Sequence, residues 1–244
     1  MNLVILVLDS YTPNSIRNSK TQKKSWVKEC QPYSEVLFYK GGTDTVRKGL
    51  DLDLDCSDTY SEMTTKTLKA LEWVDSNLSF DYIFRTNTSS YVNYPNLVSY
   101  LKKINKEGVD YCGYIGKHKN IEFVSGSGII LSKVAVKTII ENQGELDKNL
   151  VEDVAIGKIL KTNKIFPIMG KRKDILSHRD ISNLTLDAYH IRCRLDPFGY
   201  SRNLETYVLR FINYSFSQKK FFAEKIMIFF MRLNKLINKY KKTK

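Results

Sequence analysis

Apolar residues along this chain fall into short continuous runs and into longer stretches with helical spacing. The first run, Leu3–Leu8, has six apolar residues, too few to cross a bilayer, and predicts a buried first strand. Residues 61–77 instead carry apolar side chains at the spacing of one helix face, as at Leu68, Leu71 and Val74. The pattern therefore indicates buried strands that alternate with amphipathic helices.

The same reasoning, applied along the chain, predicts most of the remaining elements. The other predicted strands cover residues 34–39, which Gly41 and Gly42 close, and residues 82–86, 111–115, 128–131 and 165–168. The other predicted helices cover residues 15–29, 94–103, 133–141 and 152–162. Such alternation predicts an α/β domain in which helices cover both faces of a mainly parallel sheet. We predict one catalytic-type domain over about residues 1–205, followed by a C-terminal helical tail over residues 206–244.

Charge is distributed unevenly along the 244 residues. The net charge is +13, but residues 219–244 hold nine Lys or Arg and one acid, so this segment alone contributes +8. A nucleic-acid-binding domain would carry its basic residues on the folded surface. The charge pattern therefore argues against a nucleic-acid partner.

The basic tail also has an apolar stripe. Its members are Phe222, Ile226, Phe229, Leu233, Leu236 and Tyr240, spaced by three or four residues. A basic amphipathic helix with large aromatic side chains is typical of a membrane surface that contains anionic lipid. The alternative is a helix that packs on its own domain and leaves a solvated Lys-rich end.

Cellular location is predicted from the N-terminus and the cysteines. The first apolar run has no basic segment before it and is too short for a signal peptide. The four cysteines contain no C-x-x-C pair, which favours reduced thiols: Cys30, Cys56, Cys112 and Cys193. We therefore expect a cytoplasmic protein, held peripherally on the cytosolic face of a membrane by its tail.

Four segments carry motifs with potential chemistry. Residues 16–26 form a basic stretch that ends in Ser25-Trp26, and residues 58–74 hold Asp58, Tyr60, Thr64, Lys66, Thr67 and Trp73. Residues 82–97 run from a buried strand through Asn87-Thr88-Ser89 to Pro95-Asn96-Leu97. The fourth segment joins the glycine-rich residues 125–132 to Glu152-Asp153-Val154.

In this order, the four segments resemble the β1,3-glycosyltransferase family, which includes β1,3-galactosyl- and N-acetylglucosaminyltransferases and Fringe. The resemblance covers about residues 1–200 and is closest over residues 58–74. It implies a GT-A fold, which is a single Rossmann-like domain that binds a nucleotide-sugar. It also implies inverting transfer of a sugar, expected to come from a UDP-sugar, to a sugar hydroxyl.

The resemblance also implies roles for individual residues. An inverting transfer needs a carboxylate to remove the proton of the acceptor hydroxyl, and Asp153 matches that base. Acceptor contacts fall on Glu152, Gly126, Ser127 and Gly128. Contacts with the nucleotide-sugar fall on Arg17, Asp58, Lys66, Arg85, Thr86, Asn87, Thr88, Ser89, His190 and Arg192. Without the resemblance, Glu152 and Asp153 would be charges that suit the start of a helix, and the glycines would mark an ordinary turn.

The chain departs from the family at the cation site. Related sequences hold Mn²⁺ with a K-T-D-D-D run, whereas Asn87, Thr88 and Ser89 occupy those positions here. Neutral oxygens are poor ligands for a dication, so we predict no metal cofactor; Mn²⁺ or Mg²⁺ would have to bind without these acids. The D-x-D patterns in residues 51–55 follow no buried strand and predict a solvated strand or loop.

Basic side chains could replace the missing cation at the leaving diphosphate. The candidates are Arg85, Lys171, Arg172, Lys173, Arg179, Arg192 and Arg194. His190 matches the family's late histidine and would then contact the diphosphate directly, with His178 as the second choice. The sequence thus predicts a metal-independent transferase that acts on a glycan or lipid-linked glycan in surface polysaccharide or glycoconjugate synthesis. The alternative is a catalytically inactive relative that binds a nucleotide or glycan as a subunit.

Overall fold

The computed structural model of the chain describes residues 1–147, 149–177, 180, 187–195 and 202–217. The strands are β1 Leu3–Leu8, β2 Glu35–Gly42, β3 Val46–Lys48, β4 Asp51–Asp55, β5 Tyr82–Asn87, β6 Ser90–Val92, β7 Tyr111–His118, β8 Ile121–Ser132, β9 Ile168–Met169, β10 Arg172–Ile175 and β11 His190–Cys193. The α-helices are α1 Pro13–Lys24, α2 Trp26–Cys30, α3 Met63–Asn77, α4 Tyr94–Lys106, α5 Lys133–Glu141, α6 Glu152–Thr162 and α7 Arg202–Ser217. A short 3-10 turn covers Gln143–Glu145.

The main sheet has eight strands in the order β3-β4-β2-β1-β5-β8-β7-β9. Parallel pairing joins β4, β2, β1 and β5, and antiparallel pairing joins β5, β8 and β7. This confirms the predicted GT-A type α/β architecture with a mainly parallel central sheet. Because β1 lies between β2 and β5, the strand order reverses at β1, and such a switch point opens a crevice beyond the carboxyl ends of the strands.

Alternating side chains of the central strands build a hydrophobic core on each face of the sheet. In β1, Ile5 and Val7 join a cluster that contains Trp26 and side chains of α4 and α7. Val4 and Leu6 join a second cluster with side chains of α3, α5 and α6. The predicted coverage of both faces is confirmed, and it explains why all six residues of β1 are apolar.

A smaller sheet, β10-β11-β6, lies beside the carboxyl end of β5. β11 pairs with β6 in antiparallel register, so Arg192 lies opposite Ser90. The backbone N–H of Cys193 also donates to the carbonyl of Ser89 at 2.9 Å. These bonds place a strand with basic residues directly beside the loop at residues 87–89.

Several predicted elements need correction. The helix predicted over residues 15–29 breaks at Ser25, whose φ and ψ are −117° and −115°, into α1 and α2. Gly41 and Gly42 lie inside β2 and do not close it. Residues 51–55 do form an alternating strand, but only its Asp face reaches solvent, because Leu52 and Leu54 are fully buried in the main sheet. Strands β3, β6, β10 and β11 were not predicted.

The last described helix crosses the boundary that the sequence placed at residue 205. α7 packs against α1, and its residues Val208, Leu209 and Ile212 are buried in the same cluster as Trp26. The described start of the tail is therefore part of the domain core. The predicted basic amphipathic segment, residues 218–244, lies outside the described residues. Within the described part, no helix has both the length and the apolar content needed to cross a membrane.

Candidate functional site

Two neighbouring clefts open at the switch point. The first has a volume of about 460 Å³ and lies beyond the end of β1; its polar lining includes Asp9, Ser10, Ser15, Asp58, Lys66, Thr88, Ser89 and Glu205. The second has a volume of about 730 Å³; its lining includes Arg85, Tyr114, Gly126, Ser127, Glu152, Asp153, Arg172, Asp174, Arg192 and Arg194. Leu8, Tyr60, Met63 and Asn87 line both clefts, so these four residues mark their junction.

Asp153 presents its carboxylate to the second cleft from the first turn of α6. Its Oδ2 atom accepts a hydrogen bond from the backbone N–H of Gly126 at 2.8 Å, and Oδ1 accepts one from Val154 N–H at 3.0 Å. The helix has no side-chain cap, so its positive end also stabilises the negative charge. The side chain is half-buried, which leaves a fixed carboxylate within reach of a ligand.

Glu152, next to it, points into the protein interior. Nη2 of Arg85 lies 2.8 Å from both carboxylate oxygens, Thr67 Oγ1 donates to Oε1, and Nε of Arg85 donates to the hydroxyl of Tyr39 at 2.9 Å. Both charged side chains are about 2% exposed. Both residues line the second cleft, but Glu152 offers little surface to an acceptor and the charge of Arg85 is already neutralised, so their predicted ligand contacts stay predictions.

Burial and pairing act in opposite directions on the ionisation of these two groups. Burial raises the pKa of Glu152, while Arg85 and the Thr67 hydroxyl lower it, and the balance is a raised value. Burial by itself would lower the pKa of Arg85, but Glu152, Tyr39 and Asp153 together more than offset this and raise it. The pair is therefore a buried structural link between β5 and α6, which carries Asp153.

The two glycines of the predicted glycine-rich loop lie inside β8, and neighbouring side chains explain them. A Cβ at Gly126 would lie 3.0 Å from Nη1 of Arg85 and 3.2 Å from Oε2 of Glu152. A Cβ at Gly128 would overlap the imidazole of His190. Glycine is needed at both positions because other side chains of the protein lie close to them. Gly128 lines neither cleft, which corrects its predicted close approach to an acceptor.

The loop at the predicted cation position is satisfied by its own hydrogen bonds. Asn87 Oδ1 accepts from Ser89 N–H, Ser89 Oγ and Ser90 Oγ at 3.1, 2.8 and 3.1 Å. The Thr88 hydroxyl lies 2.9 Å from that of Ser15. Of the described side chains, no group of three or more His, Cys, Asp or Glu is arranged to hold a metal ion. The donor set of this loop does not fit Mn²⁺ or Mg²⁺, because it offers neutral oxygens that are already occupied.

Among the described residues that line the first cleft, Lys66 is the one with a basic side chain, and an acid holds it. Lys66 Nζ lies 3.0 Å from Asp58 Oδ1, which also accepts from Gly41 N–H at 3.1 Å, and Asp58 Oδ2 accepts from Tyr11 N–H at 2.9 Å. Both residues line the cleft, and their contact with a nucleotide-sugar stays a prediction. Arg17 does not line the cleft: it is exposed on α1 and donates to Asn14 Oδ1 at 2.8 Å.

His190 and Thr86 are buried behind the clefts. The imidazole Nε2 lies 2.9 Å from Ser90 Oγ and 3.4 Å from Thr86 Oγ1, and Thr86 donates to the carbonyl of Ser127 at 2.8 Å. Burial first, and then Arg172 and Arg192, hold the pKa of His190 well below its usual value, so the ring is neutral at pH 7. Neither residue lines a cleft, which corrects their predicted contact with the nucleotide-sugar.

Three arginines form a basic wall on the second cleft. Arg192 and Arg194 alternate with the buried Cys193 and so lie on one face, and Arg172 comes from the neighbouring strand β10. Arg172 pairs with Asp174 at 2.8 Å, whereas no ion pair within 4.0 Å joins Arg192 or Arg194 to a described acid. Nε of Arg192 is buried without a hydrogen-bond partner in the described part of the chain.

The other predicted cations are placed elsewhere. Lys171 lines neither cleft, and Lys173 pairs with Asp187 at 2.7 Å. Arg179 and His178 lie outside the described residues. The sequence analysis did not predict the positions of Tyr114 or Tyr60 on the clefts. Tyr60 stood in a recognised motif, but no local signal in the sequence marks Tyr114.

Known proteins show similarity at the level of sequence and of fold. A family model described as Galactosyltransferase matches residues 51–122. UDP-GalNAc:beta-1,3-N-acetylgalactosaminyltransferase 1 of Homo sapiens is 28% identical over 204 residues, which cover 67% of this chain and 60% of that protein. UDP-GalNAc:beta-1,3-N-acetylgalactosaminyltransferase 2 of Homo sapiens is 25% identical over 160 residues, 58% of this chain and 29% of that protein.

A solved structure supports the same fold. It is a glycosyltransferase involved in the glycosylation of the major capsid of PBCV-1, with a TM-score of 0.57 and 12% identity; the match covers 86% of this chain and 100% of that one. The chain spans about 60% of the length of the first of the human relatives. The sequence similarity therefore covers most of the domain described here but only part of those proteins.

Proposed function

We propose that the chain, which is similar in sequence to β1,3-glycosyltransferases, transfers a sugar from a nucleotide-sugar to a hydroxyl of a glycan or lipid-linked glycan. The observation that carries this proposal is the Asp153 carboxylate, held by Gly126 N–H and open to a cleft that adjoins the switch point. The names of the two human relatives give UDP-GalNAc as their donor, which supports a UDP-sugar for this chain.

The proposed reaction is a single displacement with inversion. The acceptor hydroxyl attacks the anomeric carbon, Asp153 takes its proton, and the bond from that carbon to the diphosphate breaks. The nucleotide occupies the first cleft and the acceptor the second, so the diphosphate lies at their junction near Asn87. In this arrangement, the bond between the anomeric carbon and the diphosphate faces Asp153.

The leaving diphosphate needs positive charge, and we assign this role to Arg192 and Arg194 instead of a metal ion. The Cys193–Ser89 hydrogen bond fixes the strand of Arg192 beside the loop that lacks acids. Burial lowers the pKa of Arg192, and the neighbouring Arg172 and Arg194 lower it further. A bound diphosphate would relieve this repulsion, because it brings negative charge between like charges.

Nucleotide binding and turnover without metal test this proposal. In EDTA, UDP at 100 times its Kd should stabilise the protein by about 2.7 kcal/mol and raise its melting temperature by about 5 to 10 °C. Arg192→Gln should remove most of this rise, whereas Lys171→Gln, outside both clefts, should keep it. Transfer from the UDP-sugar that gives a shift should continue in EDTA. Activity that EDTA removes and Mn²⁺ restores would refute metal independence.

A nucleotide-binding subunit without catalysis is the second candidate function. The observation that favours it is the neutral loop of Asn87, Thr88 and Ser89 at the family's cation site. In the same experiment, this candidate predicts a UDP-induced rise in melting temperature with neither transfer nor hydrolysis of any UDP-sugar. Measurable transfer would eliminate it.

For the tail, we propose peripheral attachment to the cytosolic face of a membrane, where a lipid-linked acceptor would be located. Deletion of residues 218–244 should abolish sedimentation with vesicles that contain anionic lipid, because it removes +8 of charge together with the apolar stripe. The melting temperature should stay unchanged, because the deletion keeps the residues of α7 that are buried in the core, up to Ile212. Neutral vesicles are the control. A lower melting temperature with unchanged vesicle binding would instead support a tail that packs on the domain.

A further inference from the structure

Tyr114 projects into the second cleft from an irregularity in β7. The antiparallel register between β7 and β8 shifts at Tyr114: this single residue of β7, between Gly113 and Ile115, lies opposite residues 125–128 of β8, so β8 bulges here. Gly113 has a φ of 154°, and a Cβ there would overlap the side chain of Val124 and the carbonyl of Gly128. The regular pairing of β7 is interrupted at this point, and Tyr114 is 44% exposed, although the preceding residues of β7 are buried.

One face of the Tyr114 ring rests on a fixed cation. The guanidinium carbon of Arg172 lies 4.1 Å from the ring centroid. Arg172 is itself held: Nη2 donates to Asp174 Oδ2 at 2.8 Å, and Nη1 donates to Ser127 Oγ at 2.9 Å. The ring is therefore supported in one orientation before any ligand binds, which lowers the entropic cost of using it as a contact surface.

The position of the ring indicates which ligand it would meet. Tyr114 lines the second cleft together with Asp153 and Gly126, but it does not line the first cleft, to which we assign the nucleotide. A flat aromatic surface beside a general base suits a sugar ring that must present one of its hydroxyl groups to that base. Pyranose rings have an apolar face of C–H groups that packs on aromatic rings, with polar hydroxyls at the edge.

We propose that Tyr114 is the acceptor platform: the sugar ring that receives the transferred residue stacks on Tyr114 and directs its hydroxyl toward Asp153. This assignment rests on the proposed transferase function and adds a specificity-determining residue to it. The chemical class of the acceptor is then a pyranose with an uninterrupted C–H face. The break in the pairing of β7 and β8 at Tyr114 frees the ring to face the cleft.

Binding of simple glycosides tests the platform without any turnover. Methyl β-glycosides of galactose, glucose, N-acetylgalactosamine and N-acetylglucosamine would be titrated into the full chain, and saturation-transfer NMR would be recorded on their ring C–H protons. At least one glycoside should bind, and Tyr114→Ala should weaken it about tenfold, which corresponds to about 1.4 kcal/mol and to the usual size of an aromatic contact. Tyr114→Phe should bind like wild type. Tyr33→Ala, which changes an even more exposed tyrosine on another surface, should also leave binding unchanged.

Three outcomes would overturn the proposal. They are the absence of binding by every glycoside, equal binding by wild type and Tyr114→Ala, and a Tyr114→Ala variant that loses UDP binding instead. The last result would move the nucleotide to this cleft. Failure of the transferase function would be seen separately, as missing turnover in a wild-type protein that still binds a glycoside through Tyr114.

Discussion

Replacement of Asp153 by asparagine should reduce sugar transfer by about 10²- to 10⁴-fold, because a positioned general base contributes a factor of that size. Asparagine has nearly the same shape, and its side-chain oxygen can still accept the hydrogen bond from Gly126 N–H. It cannot take the proton of an acceptor hydroxyl. The loss should therefore appear in kcat, measured with both substrates saturating, while the rise in melting temperature caused by UDP stays as in wild type.

The control for this variant is Asp147→Asn. Asp147 precedes the same helix, but it is paired with Lys158 at 3.2 Å and lines neither cleft. Its amide variant should keep wild-type turnover. If Asp153→Asn turns over normally, the proposed mechanism is wrong. If it loses UDP binding together with turnover, Asp153 contributes to donor binding and not to proton removal.

The elements that could be predicted well are those whose own residues determine their boundaries. β1, α5 and α6 have the predicted bounds. β1 is an unbroken apolar run, and α5 begins where Ser132 Oγ accepts from Ala135 N–H at 3.2 Å. These signals are local in sequence, and the tertiary fold does not override them.

The missed strands depend on partners that are far away in the chain. β11 forms because it pairs with β6, about 100 residues earlier, and its four residues, three of them buried, form no alternating pattern that stands out in the sequence. Yet this pairing is what places Arg192 beside Ser89 and Ser90. The arginines of the basic wall could therefore be predicted as candidate cations, but their arrangement on one surface of the cleft could not.

The different roles of Glu152 and Asp153 also depend on residues that are distant in the sequence. The sequence correctly brought Glu152, Asp153 and Gly126 together, but it could not tell which carboxylate faces the cleft. That depends on Thr67, which is 85 residues from Glu152, and on Arg85, which is 67 residues from it. His190 was misplaced for a similar reason, since the space that buries its ring comes from Gly128.

Loss of the buried ion pair is expected to have the largest effect on stability. Arg85→Met should lower the free energy of unfolding by about 3 to 5 kcal/mol, because it leaves the carboxylate of Glu152 buried without its cation. For a chain of this size, that loss corresponds to a fall in melting temperature of about 10 °C. Lys103→Met is the control: its ion pair with Glu107 is exposed, at 68% and 53%, and should contribute less than about 1 kcal/mol.

The pH dependence of stability in the Arg85→Met variant should identify Glu152 as the cause of the lower free energy of unfolding. Burial already raises the pKa of Glu152, and Arg85 is the main group that opposes this rise. Without Arg85, the folded protein binds the Glu152 proton more tightly than the unfolded chain does, so stability is lost as pH rises from about 4.3 through the raised pKa. The stability deficit relative to wild type should therefore be smaller at pH 5 than at pH 8. A second substitution, Glu152→Gln, should recover part of the deficit at pH 8 and remove this pH dependence. A deficit that is the same at both pH values would show that lost packing, and not an uncompensated buried charge, destabilises the variant.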